Sequence, residues 1–154
     1  MTLYFAYGSN MCRAPMRARC PSAREVGVAT LAGHRFLVTA DGYASIAPEP
    51  GGLVHGLLWR LAPRDLAVLN AYESLDSGLY RSVTLPVRVG ARQVPAMVYV
   101  GRSPRPGLPR PGYLEPVLAA ARELALPADY VDMLARWLPP GRQSWPAPDT
   151  GEVA

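Results

Sequence analysis

The chain has 154 residues, 49% hydrophobic and 18% charged, the balance of one folded domain with enough material for a sizeable core. Its net charge of +4 rests on 16 basic residues, every one an arginine, scattered from Arg13 to Arg142 with one cluster at Arg13, Arg17, Arg19 and Arg24. No aromatic-and-basic stripe accompanies them, so the expected partner is a small anionic molecule and no nucleic acid.

Residues 3–7 read as an aromatic-rich strand cut off by Gly8-Ser9-Asn10, which are turn and cap residues. A short helix over 11–20 follows, with Pro15 tolerated near its first turn. Ser9 or Asn10 is expected to cap it and to aim backbone N–H groups at an anion such as a carboxylate. Gly8 would let that ligand reach the backbone. Residues 26–31 and 34–39 read as two strands around a tight turn at Ala32-Gly33. A weaker strand at 43–47 is expected to stop at Pro48-Glu49-Pro50-Gly51-Gly52, and a strand over 53–61 follows.

Ala62-Pro63-Arg64-Asp65 begins a helix, with proline at its first position and an acid beside it. Leu66, Leu69 and Tyr72 would face the core, and the helix runs out near Glu73. A polar loop covers 74–78. Residues 80–89 and 92–100 form a hairpin around Gly90-Ala91. The Pro- and Arg-rich stretch 101–112 is either a compact wall or lid loop or a plain connector. A helix over 114–124 buries Leu114, Val117, Leu118, Ala121 and Leu124. Leu126-Pro127 restarts the chain into a last helix burying Tyr130, Leu134, Trp137 and Leu138. Residues 139–154 form a Pro-rich, loosely packed tail. The expectation is an α+β domain over residues 1–138, a mostly antiparallel sheet of about six strands curled into a small barrel with helices outside.

No apolar run nears the roughly 20 residues of a membrane helix, and no basic stretch precedes the first apolar run. A cytoplasmic protein without membrane contact is expected. Cys12 and Cys20, with His34 and His55 far away, make neither an expected disulfide nor a zinc site, so no metal and no cofactor is predicted. Ser9 lacks the Gly-x-Ser-x-Gly elbow and Cys12 an obvious base, which leaves no conventional nucleophile. His34 and His55 fit core or edge positions of strands. Glu73 stands apart. Held against Tyr72 and core leucines, its carboxyl would be partly desolvated and raised toward neutral, which suits a proton shuttle. The bland reading is a solvated acid at a helix end, where the macrodipole disfavours it.

Phe5-Ala6-Tyr7-Gly8-Ser9-Asn10-Met11 resembles the signature that opens the gamma-glutamylcyclotransferase family. Two further blocks of that family recur in order. Glu73 is followed by Ser77-Gly78-Leu79-Tyr80. Farther on come Pro109-Arg110-Pro111-Gly112-Tyr113 and Leu126-Pro127-Ala128-Asp129-Tyr130. The resemblance spans roughly residues 3–138. It implies an amide-cleaving cyclotransferase of the lyase class that converts a γ-glutamyl amino acid or amide to 5-oxoproline and a free amine. By that resemblance Tyr7, Gly8, Ser9 and Asn10 hold the substrate, Glu73 is the acid/base, and Tyr80 and Tyr113 line the pocket. The assembly would be a monomer or homodimer. Ala125 stands where the family often has glycine before Leu-Pro, a change expected to be without consequence. Two alternatives remain open: the same cyclisation on a γ-glutamyl amine or γ-glutamyl-protected metabolite, and a non-catalytic module that binds a small anion.

Overall fold

A computed structural model describes residues 1–73 and 78–140. Loop residues 74–77, among them Ser77 of the Ser-Gly-x-Tyr block, and the tail from 141 onward lie outside the described residues. Five strands, β1 (Thr2–Ala6), β2 (Arg24–Val38), β3 (Ala44–Leu61), β4 (Tyr80–Val89) and β5 (Arg92–Gly101), close into a barrel in the order β1-β3-β2-β4-β5. All neighbours pair antiparallel except β1 and β5, where Tyr4 opposes Met97 in parallel. Closure leaves no edge strand unpaired. Outside lie α1 (Arg13–Arg19), α2 (Pro63–Tyr72), α3 (Leu114–Glu123) and α4 (Ala128–Ala135). The α+β class and the mostly antiparallel barrel agree with the sequence, with five strands in place of about six.

The missing strands were merged into longer ones. Ala32-Gly33 is no turn: β2 runs through it, and Gly33 takes φ +76° at an irregularity in the pairing with β3. The run from Pro48 to Gly52 does not end β3 either. The register jumps there from His34 opposite Pro48 to Ala32 opposite Leu53. Prolines that cannot donate to a ladder are accommodated at such a bulge. The true turn between β2 and β3 lies at Thr39–Tyr43, where the Thr39 N–H donates to the Tyr43 carbonyl over 2.9 Å. The resulting ribbon is long, with 15 residues in β2 and 18 in β3. It brings Ser45 near the start of β3 to the end of β5, where the Gly101 N–H donates to Ser45 Oγ over 2.9 Å.

Pro63 opens α2 as expected, and the Asp65 carboxylate accepts the Ala62 N–H over 3.2 Å, closing the first turn. The stretch after β5 is a wall pinned to the β2–β3 turn. Ala40 N–H donates to Arg105 O over 2.8 Å, Gly107 N–H to Val38 O over 2.8 Å and Arg110 N–H to Gly42 O over 3.1 Å. The Arg110 guanidinium stacks on the Tyr43 ring at 4.9 Å. The wall delivers Tyr113 to the head of α3. That helix ends in a Schellman turn: Ala125 N–H bonds Arg122 O over 3.0 Å and Leu126 N–H bonds Ala121 O over 3.1 Å. Ala125 has φ +55°, so the expectation that its replacement of glycine is without consequence is corrected. A side chain there occupies a left-handed conformation that glycine enters freely.

Candidate active site

Tyr4, Phe5, Ala6 and Tyr7 are all buried, so the end of β1 is covered on both faces. The chain then tightens into one 3-10 turn, Ser9–Met11, before α1 begins. The cap positions are held by Gly8 and Cys12 with no side-chain cap hydrogen bond, so neither Ser9 nor Asn10 caps a helix as expected. The Asn10 amide is engaged elsewhere. Its Nδ2 donates to Glu73 Oε1 over 3.0 Å and to the Tyr4 hydroxyl over 2.9 Å, and its Oδ1 accepts from Arg19 over 2.9 Å. Trp59, fully buried, donates its indole N–H to the Asn10 carbonyl over 3.1 Å. One residue of the turn is thereby tied to β1, β3, α1 and the end of α2.

Glu73 is the residue at the C-terminal cap of α2, and its N–H still bonds the Leu69 carbonyl over 2.8 Å. It is 0% exposed, a complete burial where the sequence suggested a partial one. Burial penalises a carboxylate, and a donated hydrogen bond from Asn10 favours it. Around it stand five tyrosines. Burial pushes the hydroxyls of Tyr4, Tyr7, Tyr80, Tyr99 and Tyr113 above the ordinary phenol value, and the negative charge of Glu73 pushes each the same way. All five stay protonated at neutral pH and act as neutral hydrogen-bonding groups.

Backbone places the hydroxyls of Tyr7, Tyr80 and Tyr113, and side-chain amides place those of Tyr4 and Tyr99. Tyr7 donates to the Tyr99 carbonyl, and Tyr99 donates to Asn70 Oδ1 over 2.6 Å. Tyr80 donates to the Ala44 carbonyl, while the Ala44 N–H donates to the Tyr113 hydroxyl over 3.2 Å. Two tyrosines 33 positions apart in the chain thus meet at one residue of the β2–β3 ribbon. Because Tyr113 accepts from Ala44, its own O–H proton takes no part in that bond.

Of the residues singled out in the sequence, Asn10 and Glu73 touch directly, and Tyr7, Tyr80 and Tyr113 share the field of Glu73. Gly8 is buried and Ser9 half-buried beside them. Gly8 has φ −118°, so no left-handed backbone demands glycine there. Sequence reasoning missed Tyr4, Arg19, Trp59, Asn70 and Tyr99. Tyr4 lay in view within the aromatic run, and Arg19 within the arginine cluster. The partners of Asn70 and Tyr99 exist only once the barrel closes.

Other candidates sit elsewhere. His55 on β3 packs its ring against Tyr130 at 4.6 Å, and burial lowers its pKa. His34 is bonded to the Ala32 carbonyl at 3.0 Å. Cys12 and Cys20 are free thiols. No helix among the described residues is long and apolar enough to cross a membrane.

Residues 4–115 match the family model described as gamma-glutamyl cyclotransferase, AIG2-like. The gamma-glutamylcyclotransferase of Homo sapiens is 30% identical over 145 residues, covering 86% of this chain and 76% of that protein. A solved structure of a gamma-glutamyl cyclotransferase superposes with a TM-score of 0.80 at 26% identity, covering 99% of this chain and 93% of that one. YkqA from Bacillus subtilis superposes with a TM-score of 0.75 at 27% identity, over 88% of this chain and 53% of that one. With the family model spanning most of the barrel and both Asn10 and Glu73 within it, the chain belongs to the gamma-glutamyl cyclotransferase, AIG2-like family.

Proposed function

We propose that the protein converts a γ-glutamyl amino acid, or another γ-glutamyl amide, to 5-oxoproline and a free amine. The observation that carries this reading is the 3.0 Å hydrogen bond between Asn10 and the fully buried Glu73. It joins the substrate-turn signature to an acid inside a ring of protonated tyrosines. The reaction needs no protein nucleophile, because the substrate's own α-amine attacks its γ-carbonyl. The enzyme must fold the γ-glutamyl arm into a five-membered ring geometry, and well-oriented intramolecular attack is worth roughly 7–11 kcal/mol.

In this reading the backbone of the Tyr7–Asn10 turn holds the α-carboxylate, with Gly8 leaving room for it and Ser9 beside it. Glu73 as carboxylate takes a proton from the α-ammonium, and the freed amine forms the new C–N bond. The tetrahedral oxyanion accepts a hydrogen bond from a protonated hydroxyl, for which Tyr113 has its O–H proton to give. Glu73 then delivers a proton to the leaving nitrogen as the old C–N bond breaks. The α-nitrogen gives up two protons in becoming the ring amide, and the leaving amine gains two in becoming an ammonium ion, so none is consumed. Tyr7 and Tyr80, donating to backbone, shape the walls.

The test is 5-oxoproline release from a panel of γ-glutamyl dipeptides and γ-glutamyl amines, which also identifies the preferred leaving group. Glu73→Gln should fold normally and lose activity by about three orders of magnitude, within the range for a positioned acid/base. Near-normal turnover by a folded Glu73→Gln protein would end this assignment.

A further inference from the structure

Arg19 is the last residue of α1 and is half-buried. Its Nη1 donates to Asn10 Oδ1 over 2.9 Å. Its guanidinium carbon stands 3.5 Å from the centroid of the Tyr72 ring, a cation–π contact that fixes the plane of the fork. Arginine has donors only, and an amide has one acceptor end and one donor end. The Asn10 amide can therefore take one orientation, with Oδ1 to Arg19 and Nδ2 to Glu73 and Tyr4. Flipped, it would press its N–H groups against the guanidinium and its oxygen against the carboxylate.

We propose that Arg19 is a positioning residue for the cyclotransfer: braced on Tyr72, it locks the Asn10 amide so that Nδ2 holds and orients the Glu73 carboxylate. This rests on Glu73 being the proton shuttle. Among the described residues, the titratable groups that feel the charge of Glu73 are hydroxyls, Tyr4 and Tyr7 from β1 and its end, Tyr80 from β4, Tyr99 from β5 and Tyr113 from the head of α3. They are neutral at working pH, so the guanidinium, acting through one amide, is the cationic support in this chain of contacts. Losing it disfavours the ionised form of Glu73, both by removing a nearby positive charge and by freeing the amide that donates to it.

The test follows the Glu73 carboxyl by 13C NMR titration, identified as the resonance absent from Glu73→Gln, alongside the pH profile of kcat/KM. Arg19→Met should raise the Glu73 midpoint by about one pH unit and move the acid limb of kcat/KM up with it. Its deficit should shrink as pH rises. Arg19→Lys, which keeps a charged donor, should recover most of the shift. A folded Arg19→Met protein with an unmoved midpoint, or with an equal deficit at every pH, overturns the inference. If Arg19→Met does not fold, Tyr72→Leu removes the brace; the midpoint should then move up by a smaller amount, and no movement overturns the inference equally. The two readings fail separately. A moved midpoint in a protein that releases no 5-oxoproline defeats the reaction, and an unmoved midpoint in an active protein defeats the role of Arg19.

Discussion

At the scale of single residues, burial sets two chemistries apart in this chain. Glu73 is buried at a helix C-terminus, where the dipole opposes negative charge, yet it receives a hydrogen bond from Asn10 and sits among hydroxyls. Cys12 and Cys20 are also sheltered, but the contacts recorded for their sulfurs are backbone carbonyls, those of Pro116 and Asp65. Carbonyls do nothing to favour a thiolate, and burial pushes both thiols up to about 11. A thiol titrating that high is a few hundred times less ionised near pH 8 than an ordinary one. Both cysteines should therefore react with a thiol-specific disulfide reagent about two orders of magnitude more slowly than free cysteine, and the Cys12→Ser, Cys20→Ser double variant should keep its activity. The sign for stability follows from the same shift. The folded state keeps protons that the unfolded state loses, so these thiols stabilise the fold below about pH 9 and that contribution is lost as pH rises toward about 11. Thermal melts of the double variant should lose less stability over that interval than those of the parent. Equal alkaline losses would show that the thiols play no part.

At the scale of elements, Ala125 gives the sharpest test. The Schellman turn after α3 requires a left-handed residue, and alanine at φ +55° occupies it. Left-handed backbone costs an L-residue roughly 1–2 kcal/mol, against a smaller entropic cost of introducing glycine. Ala125→Gly should stabilise the protein by about 1 kcal/mol, raising Tm by about 2–4 °C, with 5-oxoproline release unchanged. A lower Tm would mean that the methyl group is worth more in packing than in strain. The same position marks what the sequence reveals. α3, α2 and the β4–β5 hairpin follow from apolar spacing, Pro63 and Gly90, because each is decided by its own residues. β2 and β3 do not. Gly33 and the run from Pro48 to Gly52 are local stop signals overruled by pairing, since they face each other at one irregularity and the segments on either side of it share the same neighbour. The candidate site divides likewise. Glu73, Tyr80 and Tyr113 were legible through a resemblance spread over three blocks. Arg19 was visible only as one of a charge cluster, because its meaning depends on an amide nine residues earlier and a ring 53 residues later coming together around it.

At the scale of the whole molecule, the barrel does one thing for the chemistry: it gathers β1, the start of β3, the start of β4 and the end of β5 at one end, with α2 delivering Glu73 there. Such a site excludes water from a carboxylate while keeping hydroxyl donors close, which suits an internal nucleophile better than an activated water. Cyclotransfer and hydrolysis then differ in a way isotopes can read. If the α-amine attacks, no solvent oxygen enters the γ-carbonyl. In 18O-labelled water the product should be 5-oxoproline carrying unlabelled oxygen, with one equivalent of free amine. An N-acetylated γ-glutamyl substrate has no amine able to attack and should not turn over. The rate should rise with pH as Glu73 ionises, modified by the titration of the substrate's own amine, and should show no alkaline loss from the tyrosines below about pH 10, since burial holds all five above the ordinary phenol value. A hydrolase would instead yield glutamate with one labelled oxygen and would tolerate the acetyl group. Labelled glutamate as the main product would rule out cyclisation at this site and leave the family fold serving a different reaction.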